Sequence, residues 1–414
     1  MKLFIHIFFT ITALINLSCQ PSENRNQVFF GDELLLKDNI KLIKDKRVGV
    51  VTNHSAVLPN NVHLIDSLLA LGINISALFS PEHGIRGEIS DGSEISSATD
   101  DKTGIPIFSL YGSTKKPTKE MLNNIDIILF DIQDIGARFY TYISTLYYTL
   151  QSAAENNLPI IVLDRPNPIG GLAVSGPVLD LNYSSFIGIA PIPVLHGMTV
   201  GEIAELFVKE NFINTDTQPE LTVIKIKGWN RNYFWNDLHR EWIPTSPNIP
   251  NFETSLIYPG TCFIEGTNVS EGRGTADPFL TIGAPYINSM ELINKLKSLQ
   301  IEGIEFSPSS FTPVKIKGKA SHPKYEGINC NGVKFNLLDN NKFKAVEFGV
   351  YLIYVLLKFY PDNFEFKNNY FDKLAGTDKL RKDLLEGKNP STIIKNWEDE
   401  LEQFKSKRKK HLLY

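Results

Sequence analysis

Short apolar runs that alternate with helical stretches constrain this chain most, and they begin near residue 47. Each run is rich in β-branched residues and almost continuously apolar, which is typical of strands covered on both faces, as in a parallel sheet. Strand–helix–strand repetition predicts an open, doubly wound α/β domain. The predicted strands are 48–51, 75–79, 125–130 and 159–163, and the predicted helices between them are 61–71, 115–123 and 145–156.

Polar segments follow the predicted strands at the point where each strand ends. Ligands of a doubly wound sheet bind at the carboxyl ends of its strands, so we expect these segments to share one rim. A fifth apolar run, 191–195, is expected to add its own polar end to that rim. The segments are Thr52–His54, Ser80–Gly84, Asp131–Asp134, Asp164–Pro168 and His196–Gly197.

The later chain predicts a second region that mixes strands with helices. A proline-rich stretch, WIPTSPNIPNF (242–252), is typical of a connection between domains. We therefore expect a sheet domain over 41–240, preceded by a linker over 19–40, and a second domain over 241–414. The further predicted strands are 221–226 and 333–338, and the further predicted helices are 200–212, 291–299, 344–359 and 391–404.

The N-terminus has the form of an export signal covering residues 1–18. Lys2 precedes an apolar run from Leu3 to Leu17 that is short for a membrane span, and Ser18 precedes Cys19. A cysteine after a small residue predicts a lipoprotein, anchored to the membrane through Cys19 and located in the periplasm. Asn16 departs from that pattern, because an aliphatic residue is usual three positions before the cysteine, so a signal anchor or soluble secretion stays open.

Charge and cysteine content bear on which partners are expected. The net charge of −4 gives no reason to expect a nucleic-acid partner, and the basic run 405–410 is interpreted as a solvated tail. Beyond Cys19 only Cys262 and Cys330 remain, either as one disulfide or as separate buried thiols. No CxxC pair occurs, and the histidines form no compact ligand set, so we predict no metal site.

Familiar nucleotide and hydrolase motifs are missing from the sequence. VGVVTNHSAV stands where a dinucleotide-binding GxGxxG would follow the first strand, and no GxxxxGK[ST] phosphate loop occurs. A GxSxG nucleophile elbow is also absent. We therefore predict no cofactor and turn to carboxylates in glycine-rich loops.

Acidic residues in two such loops are the candidate catalytic groups. Glycosidases place two carboxyl groups beside the sugar bond, one to protonate the leaving oxygen and one to attack or to activate water. Glu82 lies in SPEHGIRGE (80–88), and Glu265 and Glu271 lie in EGTNVSEGRG (265–274). The alternatives are a Glu82 paired with Arg86 or capping a helix, and a mobile loop in which Glu271 and Arg273 are surface charges.

The segment DIQDIGARFYTYIST (131–145) combines the amide, acidic, guanidinium and aromatic groups that suit a sugar. Arg138 could form a bidentate contact with a substrate carboxylate, or pair with Asp134 on one helix face.

Two further polar residues carry alternatives of their own. Asn167 in DRPNP is either a ligand or simple turn chemistry. His196 is either a general base or a hydrogen-bonded histidine before a helix that Thr199 caps, with Glu202 completing a capping box.

Five ordered segments together resemble the signature blocks of the bacterial exo-β-N-acetylmuramidases, a glycoside hydrolase family. They are SPEHGIRGE, DIQDIGARFYTYIST, DRPNPIGG, HGMTVGE and YPGTCFIEGTNVSEGRGT. The resemblance implies a Rossmann-like domain joined to a smaller α/β domain, with the active site in the cleft between them. It implies release of N-acetylmuramic acid (MurNAc) from the non-reducing end of peptidoglycan fragments such as MurNAc–GlcNAc glycans, in cell-wall turnover or salvage.

The same resemblance implies roles for individual residues. Glu82, Glu265 and Glu271 match blocks that carry the family's acids, and which of them is acid and which is base or nucleophile stays open, as does attack by the substrate's own acetamido oxygen. The lactyl carboxylate of MurNAc would give Arg138 or Arg86 a purpose. The expected substrate-binding residues are His83, Arg86, Gln133, Asp134, Arg138, Tyr140, Asn167, His196 and Asn268.

Two other function classes fit parts of the sequence. A non-catalytic lipoprotein that captures muropeptides would use the same cleft and aromatic residues, but it needs no acid pair facing each other across the cleft. An amidase or esterase would need a metal at His83 or His196, or a serine–histidine contact.

Overall fold

The structure is a computed structural model, and it describes residues 27–85 and 98–414. The expected signal segment 1–18, the lipid attachment at Cys19 and the expected substrate contact of Arg86 lie outside the described residues. Within the described part of the chain, no helix is both long enough and apolar enough to cross a membrane.

A seven-stranded sheet forms the N-terminal half, in the order β3-β4-β2-β1-β5-β6-β9. Every neighbouring pair is parallel except β3 with β4. The prediction of a doubly wound, mostly parallel sheet is therefore confirmed. The strands are β1 (Val48–Thr52), β2 (Ile75–Ser80), β3 (Ala98–Thr99), β4 (Pro106–Ser109), β5 (Ile127–Asp131), β6 (Ile160–Leu163) and β9 (Leu221–Ile224), and the helices of this half are α1 (Gly31–Leu34), α2 (Leu64–Ala70), α3 (Lys119–Leu122), α4 (Tyr142–Glu155) and α5 (Val200–Lys209).

The central strands β1 and β5 are buried at every residue, as their continuous apolar sequence predicts. Thr52 lies opposite Asp131 in the register of these two strands, so their polar ends meet at one edge of the sheet. The segments that follow β2 and β6 leave the sheet at the same edge, because all four strands run parallel.

The run 191–195 does not join this sheet, and the expectation of a fifth segment on the same rim is wrong. It forms β8 (Pro193–Leu195), which pairs antiparallel with β7 (Ser175–Val178) in a separate two-stranded sheet. Pro191 and Pro193 have no N–H to donate, which disfavours a central strand position.

The C-terminal half contains a three-stranded antiparallel sheet in the order β10-β12-β11, surrounded by helices. Two of its helices, α6 and α8, approach closely at glycines: a Cβ on Gly260 would lie 2.0 Å from the Ala345 carbonyl oxygen. The elements are β10 (Thr281–Ala284), β11 (Ile304–Phe311) and β12 (Cys330–Leu337), with α6 (Phe252–Thr261), α7 (Ser289–Ser298), α8 (Ala345–Phe359), α9 (Asn368–Ala375), α10 (Lys379–Leu385), α11 (Pro390–Lys395) and α12 (Glu398–Arg408).

The last part of the chain differs from its prediction in two ways. The single helix predicted over 391–404 is two helices, α11 and α12, separated at Asn396 and the buried Trp397. The basic run 405–410 is not a free tail, because it forms the end of α12 and the turn after it. Arg408 donates to the carbonyl oxygens of His196 and Gly197 at 3.1 Å.

One continuous apolar core joins the two halves. It includes Phe139 and Tyr140 from the first half and Tyr258, Phe263 and Phe279 from the second. Their rings contact each other edge to face, with centroids 4.7 to 6.1 Å apart. This packing fixes the segment before α4 against the start of the C-terminal half, and a cavity opens beside it.

Candidate active site

A cavity of about 500 Å³ lies beside this aromatic contact, between the rim of the seven-stranded sheet and the C-terminal half. Both halves of the chain contribute to its wall. Its polar and charged lining includes Glu82, His83, Tyr140, Thr141, Ser246, Tyr258, Glu265, Glu271, Arg273, Lys319, His322, Lys324, Lys367 and Tyr370.

Glu82 reaches the cavity from the turn that follows β2. His83 has a φ of 71° and Gly84 a φ of 78°, so the chain reverses sharply just after the strand. A left-handed conformation is uncommon for a residue with a side chain and is typical of functional sites. Glu82 is 8% exposed, and its Oε2 accepts a hydrogen bond from Thr141 Oγ1 at 2.7 Å.

Glu265 lies in the helical turn Cys262–Gly266 that directly follows α6. Its Oε1 accepts bonds from Arg273 Nε at 3.0 Å and Nη2 at 2.6 Å, and its Oε2 accepts one from the Tyr370 hydroxyl at 3.0 Å. Burial and the neighbouring Glu271 carboxylate raise the pKa of Glu265 to about 8, against the opposing influence of Lys324 and Tyr370. Glu265 therefore holds a proton at neutral pH.

Glu271 is held as an ion pair in the loop between α6 and β10. Its Oε2 lies 2.9 Å from Lys324 Nζ, which also donates to the carbonyl oxygens of Ile264 and Val269 at 2.8 Å. Gly272 shapes this loop with a φ of 78°, and a Cβ there would lie 2.6 Å from the Thr281 carbonyl oxygen. The loop is thus ordered, and Glu271 is not the surface charge of the alternative interpretation.

The three carboxyl groups share one electrostatic environment. The negative charge of Glu82 contributes to the raised pKa of Glu265, and it also contributes to the raised pKa of Tyr140. Arg273 and Lys324 offset the acids, and burial lowers the pKa of Arg273 to about 10. Acidic groups from both halves of the chain therefore line one cavity. A glycosidase needs a pair of acids in its cleft, and a capture protein does not.

Comparison with known proteins agrees with this arrangement. The N-terminal family model of the exo-β-N-acetylmuramidase NamZ matches residues 48–253, and its C-terminal model matches residues 256–414. The chain belongs to the exo-β-N-acetylmuramidase NamZ family. It is 45% identical to the peptidoglycan β-N-acetylmuramidase NamZ of Bacillus subtilis (strain 168), over 99% of this chain and 97% of that protein.

Solved structures extend the likeness to the fold. Two crystal structures of DUF1343 family proteins from Bacteroides fragilis NCTC 9343 are each 34% identical to this chain. They superpose with TM-scores of 0.85 and 0.77 over 94% of this chain, covering 100% and 99% of their own. The multi-domain α/β fold expected for an exo-β-N-acetylmuramidase is confirmed.

Several residues predicted to bind substrate in this muramidase-family chain do not line the cavity, and Arg138 is the clearest case. Its side chain is 1% exposed, and it donates to the carbonyl oxygens of Pro177 at 2.7 Å, Ile192 at 3.0 Å and Leu374 at 2.8 Å. It does not pair with Asp134 on a helix face either, because α4 begins only at Tyr142. Arg138 is used to join segments of the fold, so the prediction that it meets a substrate carboxylate is wrong.

Gln133, Asp134 and Asn167 tie neighbouring loops of the rim together. Gln133 Nε2 donates to the carbonyl oxygens of Asp134 at 2.8 Å and Pro166 at 2.9 Å. Asp134 accepts a bond from the Gly136 amide, and burial raises its pKa to about 7. Asn167 Oδ1 accepts from the Ile169 amide at 3.2 Å, which is the turn chemistry of the alternative interpretation. These three side chains order the rim and do not line the cavity.

His196 and Asn268 are also held within the protein. His196 Nδ1 accepts from the Met198 amide at 3.1 Å, and burial lowers the pKa of His196 to about 3, so the ring is neutral. The capping box of Thr199 and Glu202 follows it, as the alternative interpretation expected. Asn268 accepts bonds from the Tyr286 hydroxyl and the Glu365 amide.

Some cavity residues escaped the sequence analysis. Thr141 lies inside the segment 131–145, and Arg273 entered only as a surface charge in the alternative interpretation of its loop. Lys324, Lys367 and Tyr370 come from segments without a recognisable motif, and only their position in the fold shows their relevance.

The two remaining cysteines form no disulfide, and the described residues form no metal-binding cluster. Cys262 and Cys330 are separate buried thiols, so the alternative of two free cysteines is confirmed and that of one disulfide is wrong. Residues 27–85 and 98–414 contain no group of three His, Cys, Asp or Glu side chains placed to hold a metal ion.

Proposed function

We propose that this protein is an exo-acting glycosidase that releases MurNAc from the non-reducing end of peptidoglycan fragments. Its membership of the NamZ family supports this, as does its 45% identity to a peptidoglycan β-N-acetylmuramidase. The observation that carries the proposal is the set of three carboxyl groups, Glu82, Glu265 and Glu271, that line one cavity. The glycan-capturing alternative gives this acidic set no purpose.

Glu265 is the group best suited to protonate the leaving oxygen. A general acid must hold its proton at working pH, and the pKa of Glu265 is raised to about 8. When Glu265 gives its proton to the glycosidic oxygen, the bond between that oxygen and the anomeric carbon breaks, and the remaining glycan leaves as an alcohol. Tyr370 and Arg273 hold the carboxyl group in place for this transfer.

Glu82 is the carboxylate that we assign to the second catalytic role, beside the general acid Glu265. Thr141 Oγ1 donates to Glu82 Oε2 at 2.7 Å, and Glu82 lines the same cavity as Glu265. We assign it the role of base: its carboxylate takes a proton from a water molecule, whose oxygen bonds to the anomeric carbon and completes the hydrolysis. Glu271, paired with Lys324, supplies fixed negative charge near the cation-like transition state.

Incubation with a MurNAc–GlcNAc disaccharide or a chromogenic MurNAc glycoside tests the activity. We expect release of free MurNAc, and losses of about 10²–10⁴-fold in kcat for both Glu82→Gln and Glu265→Gln. Glu253→Gln is the matched control, because Glu253 is exposed on α6 and outside the cavity lining. Normal turnover by Glu82→Gln would remove Glu82 from the mechanism. Measurable binding without release from any muramic acid glycoside would favour the capture protein.

We also propose that the protein is exported and anchored by a lipid at Cys19, in the periplasm. The basic start, the apolar run and the Ser18–Cys19 pair support this, and peptidoglycan is itself outside the cytoplasm. Metabolic labelling with a radioactive fatty acid should mark the full chain but not a Cys19→Ala variant. Equal labelling, or recovery of both proteins in the cytoplasmic fraction, would contradict the proposal.

A further inference from the structure

The cavity wall carries several cationic side chains, and two of them are already paired with acids of the site. Arg273 binds Glu265, and Lys324 binds Glu271 together with two carbonyl oxygens. The Lys367 ammonium differs, because within the described part of the chain it makes no hydrogen bond and no ion pair. Its charge is therefore available for a ligand in the cavity.

Lys367 is nevertheless fixed close to the acids. Its backbone N–H donates to the Gly266 carbonyl oxygen at 2.8 Å, in the residue next to Glu265. It also directly precedes α9, whose Tyr370 donates to Glu265. Burial and Lys324 lower the pKa of Lys367, and Glu271 and Glu265 oppose that change, so its ammonium lies within electrostatic range of the proposed catalytic groups.

The proposed substrate carries a negative charge that such a cation would bind. MurNAc differs from GlcNAc by a lactyl ether at C3, which ends in a carboxylate. A further anion beside the carboxylates of Glu82 and Glu271 would be repelled unless a cation met it. Arg138, the residue that the sequence suggested for this contact, is buried and bonded elsewhere.

We propose that Lys367 binds the lactyl carboxylate and so makes the enzyme prefer muramic acid to glucosamine at the cleaved position. This inference rests on the proposed function. Lys319 also lines the cavity, but no hydrogen bond joins it to the turn that holds Glu265, and it does not adjoin α9. Lys297 is exposed on α7 and outside the cavity lining, so it provides a matched lysine control.

Three chromogenic glycosides test the proposal: that of MurNAc, that of its lactyl methyl ester, and that of GlcNAc. Wild type and the Lys367→Met and Lys297→Met variants are compared on each of them. We expect Lys367→Met to lower kcat/KM for the MurNAc glycoside by about 10–50-fold, chiefly through KM. Turnover of the methyl ester should change less than about twofold, because that substrate lacks the charge, and Lys297→Met should resemble wild type on all three.

An equal loss by Lys367→Met on the charged and the esterified substrate would overturn the proposal, since a structural defect affects both. Unchanged preference for the charged substrate would overturn it as well. If wild type hydrolyses none of the glycosides, the proposed function has failed, and calorimetric binding of free MurNAc then decides the role of Lys367. Binding that is lost in Lys367→Met but kept in Lys297→Met would support the contact, and equal affinity of all three proteins would refute it.

Discussion

Replacing Arg138 with methionine separates a structural role from a substrate-binding one. Its guanidinium donates three hydrogen bonds to the carbonyl oxygens of Pro177, Ile192 and Leu374, all deep in the fold. Bonds from a charged donor contribute roughly 1.5–3 kcal/mol each, or about 4.5–9 kcal/mol in total. Burial of the charge, which lowers the pKa of Arg138 to about 9, offsets part of this. We expect a net loss of about 3–5 kcal/mol in the free energy of unfolding, because three buried acceptors lose their donor.

Urea unfolding followed by tryptophan fluorescence measures this loss. With an m-value of about 3 kcal/mol per molar urea, the midpoint should fall by roughly 1–1.7 M. Arg47→Met is the control, because Arg47 forms an exposed pair with Asp126 and should change the midpoint far less. A variant of Arg138 with wild-type stability and a raised KM would refute the structural role and restore the substrate contact.

Three further outcomes follow from the site. The kcat/KM should fall as pH rises through about 8, where Glu265 loses its proton. In Tyr370→Phe this fall should occur at higher pH, because the hydroxyl bond lowers the pKa of Glu265, and a fall at the wild-type pH would contradict this. Gly272→Ala should reduce both stability and turnover, measured by urea unfolding and glycoside assay, because it adds a Cβ at a φ of 78°; wild-type values would show that the loop can adjust. In protein lacking residues 1–19, Cys262 and Cys330 should react with a thiol reagent only after unfolding, since both are fully buried, and rapid reaction of the native protein would show otherwise.

The strand-end loops show how far sequence reasoning reached. The apolar runs before Asn53, Glu82, Asp131 and Asp164 are short and almost continuously apolar, so they predicted both the parallel sheet and the edge at which these residues lie. The run ending at Leu195 looked the same but belongs to a separate antiparallel pair. Periodicity identifies a buried strand, and it does not say to which sheet that strand belongs.

Residue chemistry by itself identified Glu82, Glu265 and Glu271, because acids among glycines stand out in the sequence. It did not show that Lys367 lines the cavity and that Arg138 does not. An isolated arginine beside tyrosines suggests sugar binding, and a lysine in a segment without a recognisable motif suggests a solvated surface.

The sequence alone thus determined the sheet, the loops at its edge and the acids those loops carry, since each depends on neighbouring residues in the chain. The tertiary structure decided which charged side chains are bonded within the protein and which line the cavity. Tyr370 reaches Glu265 across 105 residues, and Arg138 reaches Leu374 across 236. Burial and the pKa of Glu265 arise from such distant contacts, because the atoms that exclude water and supply opposing charge come together only when both halves of the chain have packed.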